Sequence, residues 1–211
     1  MSADWVTISS LATAGGTLVL ALATFASVRS ANRSARVAEE SLLASVRPLL
    51  VPTRFDDPTL KVGFGDDHWV HVHGGTGTIE VTDEAVYMTM SLRNAGSGIA
   101  VLHGWRLDDA DSLGAQERPS LDDFRRLTRD IYIPAGDIYF WQGAIRDRDD
   151  PGRSLIEQQL GAGQRTIVDV LYGDQHGGQR VISRFSLVGR QEGQFLVSLG
   201  RQWNVDRPDP R

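Results

Sequence analysis

The chain has 211 residues, with 27 Asp and Glu against 22 Lys and Arg, and no cysteine. The absence of cysteine excludes disulfides, thiolate metal sites and a cysteine nucleophile. No basic run interleaves with aromatic residues, so a nucleic-acid face is not expected. Lys61 is the single lysine, and the other basic residues are arginine.

Residues 5–28 read "WVTISSLATAGGTLVLALATFASV", 24 residues without a charge. As a helix this stretch is roughly 36 Å long, enough to cross a hydrocarbon core of about 30 Å with some tilt. Trp5 stands where an interfacial aromatic belongs, and Arg29 ends the run. A cleavable signal begins with a cationic region, whereas this chain opens with Met1-Ser2-Ala3-Asp4. The cations follow at Arg29, Arg33 and Arg36, which by the positive-inside rule places the N-terminus outside and the C-terminal domain in the cytoplasm. Ser9, Ser10, Thr13, Thr17, Thr24 and Ser27 moderate the hydrophobicity, so a buried helix of a soluble protein is one alternative, and a retained anchor of the opposite orientation is another.

Residues 29–47 continue as a juxtamembrane helix, free of Gly and rich in good helix formers, with Pro48 setting its end. One heptad frame runs through both segments. One core position holds Ala14, Ala21, Val28, Ala35 and Leu42; the other holds Ser10, Thr17, Thr24, Ala31, Ala38 and Ser45. Small residues in a membrane helix let backbones approach, and small or apolar heptad positions continue that seam outside the bilayer as a possible coiled coil. Thr17, Ala21, Thr24, Val28, Ala31, Ala35, Ala38 and Leu42 are therefore the expected interaction residues, toward a second copy or another membrane protein.

After Pro48 the period changes to two. "VYMTMSLRN" puts Val86, Met88, Met90 and Leu92 on one face and Tyr87, Thr89, Ser91 and Arg93 on the other, a half-buried strand. "GIAVLHGWRL" reads as its neighbour across a turn at Gly96–Gly98. Further strands are expected at "WVHVH", "GTIEV", "DIYI", "IYFWQGAI", "RTIVDVLY", "RVISRFSLVG" and "QFLVSLG". Short strands with Gly-rich turns predict a mainly β domain over residues 48–203, an antiparallel immunoglobulin-like β-sandwich behind one long N-terminal helix. Two capping-box patterns predict short helices at "SLDDFRRL" from Ser120 and "SLIEQQLG" from Ser154 to Gly161. Residues 108–119 read as an exposed loop and 204–211 as a flexible tail.

Asn94, Gly96 and Gly98 at one turn, Tyr172, Asp174 and Gly177 at another, and the pair Arg47-Pro48 carry a resemblance. The chain resembles uncharacterised bacterial single-pass membrane proteins with an N-terminal helix and a small β-sandwich domain. No activity follows from that resemblance.

Three clusters invite chemistry. In "DDHWVHVH", His71 and His73 share one face of a strand, a spacing that can begin a metal site on a β-scaffold; they are weak candidates, because the same alternation leaves both facing solvent. Asp174 and His176 sit together in "YGDQHGGQR", a composition that more often builds a hairpin loop than an acid–base pair. Tyr132, Tyr139, Phe140 and Trp141 cluster, and the alternation within "IYFW" demands a strand that is central or covered on its second face. No nucleophile elbow, Walker loop or dinucleotide fingerprint is present, so no catalytic residue and no cofactor is expected. The sequence points to a membrane-anchored, non-catalytic protein-binding or assembly module. An accessory subunit of a larger membrane complex is one alternative, and a small metal- or ligand-binding sensor using His71 and His73 is another.

Overall fold

In a computed structural model, residues 2–190 and 193–209 are described, and the chain separates into a helical unit ending at Ser45 and a second unit beginning at Val46. Helix α1 spans Ser2–Ser45 without interruption, joining the expected membrane and juxtamembrane segments. It is long and apolar enough to cross a membrane: the most apolar window between Ile8 and Leu43 has mean hydropathy 1.8 and none of it is buried. Leu18, Val19, Leu20, Leu22 and Phe25 are exposed along it, so within its unit this is not the covered helix of a soluble core. The hydroxyls of Thr13, Thr17 and Thr24 donate to the carbonyls of Ser9, Thr13 and Leu20 four residues back. Those hydroxyls therefore need no outside partner, which lowers their cost in lipid.

The second unit is mainly antiparallel β. Its strands are β1 (Leu50–Pro52), β2 (Leu60–Gly63), β3 (Trp69–Val72), β4 (Thr76–Val81), β5 (Val86–Asn94), β6 (Ala100–Asp108), β7 (Arg125–Ile133), β8 (Ile138–Ile145), β9 (Thr166–Gly173), β10 (Val181–Gly189) and β11 (Gln194–Asn204). In place of two facing immunoglobulin-like sheets, nine strands form one sheet curled into a half-barrel. Its order is β8-β5-β4-β11-β10-β9-β6-β7, with β1 beside β4 on the same edge of β5. β2 and β3 form a separate two-stranded ribbon packed near β4, β5 and β8.

The core fills the concave side. Met88, Met90 and Leu92 of β5 meet Trp105, Ile131, Ile133, Val168, Val170, Tyr172 and Phe185, all almost fully buried. Helix α2 (Pro151–Gly161) adds Ile156 to that core. It begins three residues before the predicted Ser154: the Asp150 side chain accepts the Gly152 N–H at 2.8 Å and Pro151 opens the first turn. Its stop is Gly163 at φ +64°, where the left-handed region favours glycine, rather than Gly161.

Four other expectations are corrected. β5 does not pair with β6; residues 95–99 carry the chain to a different part of the sheet, because the stretch from Arg47 to Pro52 takes the place beside the end of β5. β5 is not half-buried: Tyr87, Thr89 and Ser91 on its second face are covered too. At 120–127 Ser120 caps only a 3-10 turn, Leu121–Asp123, after which the chain becomes β7; ladder pairing of Arg125 with Trp105 and packing of Phe124 on the outer sheet face override the local helix pattern. The tail is tied down through residue 209: the Asn204 N–H and side-chain amide bond Asp209 and Pro208, and Asp206 pairs with Arg180.

The segment 108–119 is largely exposed, as expected, but it carries a 3-10 turn at Ala110–Gly114. It closes over the convex face, where Arg184 (1 % exposed) lies against Asp169 (0 %). The guanidinium donates Nε to Oδ1 and Nη2 to Oδ2, both at 2.7 Å, donates to Asp108 and to the Ser112 carbonyl, and stacks over Trp203. Burial lowers the Arg184 pKa, but the Asp169 and Asp108 carboxylates outweigh it and raise it overall.

Candidate functional site

The resemblance motifs converge on one structural junction. Asn94 is fully buried; its Oδ1 accepts the N–H groups of Leu49 and Gly96, and its Nδ2 donates to the carbonyls of Gly98 and Ile133. All four hydrogen-bonding positions of the amide are used. A Cβ at Gly96 or Gly98 would collide with the backbone of Val46–Leu49, so both glycines make room for the chain that follows α1. Tyr172 lies beneath the same segment, its hydroxyl accepting the Leu50 N–H at 3.2 Å, and burial raises its pKa. Asp174 accepts the backbone N–H groups of His176 and Gly178, while the His176 ring contacts Gln175; the loop builds a turn and brings no acid–base pair together.

His71 and His73 project outward from the ribbon on the face opposite Val70 and Val72. The Nδ1 of His73 is 2.9 Å from the Thr59 hydroxyl. His68 pairs with Glu80 and stacks on Tyr87 at 4.0 Å between ring centroids. Among the described residues no three His, Asp or Glu side chains form a group fit to hold a metal ion.

The aromatic cluster divides. Trp141 is fully buried, Phe140 is 5 % exposed, and Tyr132 and Tyr139 are exposed. Among the described residues β8 has only β5 as ladder partner, yet the ribbon packs on its second face, which answers the alternation in "IYFW". Between the ribbon and the seam where β7 and β8 face each other lies an open cleft of about 430 Å³. It is lined by Lys61, Gly63, Phe64, Gly65 and Trp69 from the ribbon side, and by Thr128, Arg129, Tyr139, Phe140 and Gln142 from the seam.

Local sequence creates this opening. Pro134–Asp137 form a tight turn, but the strands it joins belong to different partners, β7 to β6 and β8 to β5. In β7 the register jumps from Ile131 opposite Leu102 to Arg126 opposite Gly104, leaving residues 127–130 bulged. The bulge re-aims Arg129 across the seam. Its Nη2 donates to Gln142 Oε1 at 2.9 Å and its guanidinium lies over Phe140. On the ribbon, the Trp69 ring lies against Gly63, its cross-strand partner, and the Lys61 ammonium sits 4.5 Å from the ring centre. Sequence reasoning picked Tyr139 and Phe140 but missed Lys61, Trp69 and Arg129 as a group, because they are brought together only by the ribbon folding over the seam.

Comparison with protein-family models, with curated proteins and with solved structures gave no match. The structure has one long apolar N-terminal helix and a β-rich domain, the two features that the resemblance implied.

Proposed function

We propose that the protein is a single-pass membrane protein whose C-terminal half-barrel binds another protein without catalysis. The observation that carries the reading is α1: a helix with an uncovered apolar window of mean hydropathy 1.8, followed by Arg29, Arg33 and Arg36. The positive-inside rule puts the N-terminus outside and the β domain in the cytoplasm. Tethering raises local concentration, so a modest binding surface on the domain suffices. The seam from Thr17 and Ala21 through Thr24, Val28, Ala31, Ala35 and Ala38 to Leu42 supplies self-association. A second chain meeting the same residues would make the protein an accessory subunit of a larger complex.

Protease added to sealed, right-side-out cells is expected to spare the β domain, and alkaline extraction to leave the chain in the membrane. Digestion of that domain, or a chain soluble without detergent, overturns the reading. A mild-detergent pull-down with mass measurement then separates a homo-oligomer from a mixed complex.

A further inference from the structure

We propose that the cleft between the β2–β3 ribbon and the β7–β8 seam binds an acidic peptide in extended conformation, added as a strand along the open edge of β8. The inference rests on the protein-binding reading above and names the partner's chemistry.

Three independent observations meet there. First, β8 offers an unfilled ladder. Asn94 donates to the Asp137 carbonyl, which by antiparallel alternation turns the backbone groups of Tyr139 and Trp141 toward β5 and those of Phe140 and Gln142 toward the seam. Opposite them β7 bulges away instead of pairing, so among the described residues these groups have no ladder partner; the Arg129–Gln142 hydrogen bond spans the seam in its place, and an entering strand displaces it. An edge of this kind is a template for an incoming strand.

Second, the charge is one-sided. The protein carries a net charge of −5, yet the cleft is lined by two cations and no carboxylate. Lys61 contacts the Trp69 ring and Arg129 contacts Phe140 and Gln142; neither has an acidic partner among the described residues. Both cations are held in place by aromatic rings and remain open to an anion.

Third, an apolar platform stands ready. Trp69 is 55 % exposed, and Gly63 beneath it leaves room for the ring to lie flat. A strand entering beside Phe140 lays the side chains of one face against Trp69, and its acidic residues reach Lys61 and Arg129. A small anion would use the cations and leave the strand edge idle. An extended peptide uses all three features.

The test is selection of a random dodecapeptide phage library on the full-length chain in nanodiscs of neutral lipid. Enriched peptides are expected to alternate Asp or Glu with aromatic or branched residues. Their affinity is expected to fall about tenfold or more in Lys61→Glu/Arg129→Glu, whose surface positions leave the fold intact by circular dichroism. N-methylation of alternate backbone amides of a selected peptide is expected to abolish binding, because it removes strand pairing. Enrichment of peptides without acidic residues, affinity unchanged by the double charge reversal, or binding that survives N-methylation overturns the proposal, as does a library that yields no binder while nanodiscs of anionic lipid bind the chain through Lys61 and Arg129. Failure of the tethering reading is seen separately, in the protease and extraction experiments.

Discussion

Trp69 lies on Gly63 so closely that a Cβ there would stand 2.7 Å from the ring carbon Cζ3. An exposed indole thus has a fixed seat in a two-stranded ribbon. Gly63→Val fills that seat. We expect the Trp69 indole N–H resonance to move and the ring to become mobile, at a cost of under about 1 kcal/mol in domain stability. An unmoved indole signal in the variant would show that the glycine does not hold the ring.

Asn94 ties together three chain segments, at Leu49, Gly96–Gly98 and Ile133, through one amide. Asn94→Ala leaves two part-buried N–H groups and two buried carbonyls without their partner, an expected loss of about 3–5 kcal/mol. Asn94→Asp is expected to be nearly as harmful, because it aims a carboxylate oxygen at the Gly98 and Ile133 carbonyls. Urea midpoints measure both; a loss below about 1 kcal/mol would mean that the junction closes without the amide.

Asp169 receives Arg184 at two oxygens and Arg106 at one, all on the convex face beneath residues 108–116. Asp169→Ala strands Arg184 in a covered site and is expected to cost about 3–5 kcal/mol. The paired change Arg184→Met/Asp169→Leu is expected to recover most of that loss. A double-mutant cycle with no coupling would remove the ion pair from the account of this face.

Acid weakens the same domain at a different place. Arg125 holds the Asp150 carboxyl below its ordinary pKa; burial opposes this, and the Gly152 N–H adds to it. A depressed folded-state pKa contributes stability above the unfolded value of about 3.9 that is lost as pH falls through the folded one. Asp150→Asn is therefore expected to destabilise the protein at pH 7 and to flatten its acid denaturation curve below about pH 4. An unchanged curve would show that α2 does not depend on this cap.

In α1, a charge at the middle of the apolar run tests its place in lipid. Leu20→Arg is expected to cost about 2.5–3.5 kcal/mol of insertion and to raise the alkaline-extractable fraction. Leu42→Arg, in the predicted juxtamembrane part, is expected to leave extraction unchanged. Equal behaviour of the two variants contradicts a span over residues 5–28.

The regular parts of the fold were legible because their periods are local. The uncharged run with its arginines predicted α1, and alternation predicted β3 to β6 and β8 to β11 to within a few residues. What escaped depends on distant partners. Nothing in "RPLLVP" announces a strand, since β1 is held by Asn94, Tyr172 and the end of β5. The helix expected at Ser120 had a fair capping pattern, but Phe124 and Arg125 bury more in the sheet than a short helix would. The cleft was half visible: Tyr139 and Phe140 are neighbours in sequence, whereas Lys61, Trp69 and Arg129 lie far apart until the ribbon folds over the bulged strand.

Arg47 donates to Asn204 at 2.6 Å, so the β domain is entered and left through the same doorway. A segment whose ends nearly touch can be lifted from its chain and spliced into a loop of an unrelated host with little distortion of either. It also means that tension drawn between residues 46 and 205 would load this contact together with the short β1 and the end of the β10–β11 ladder.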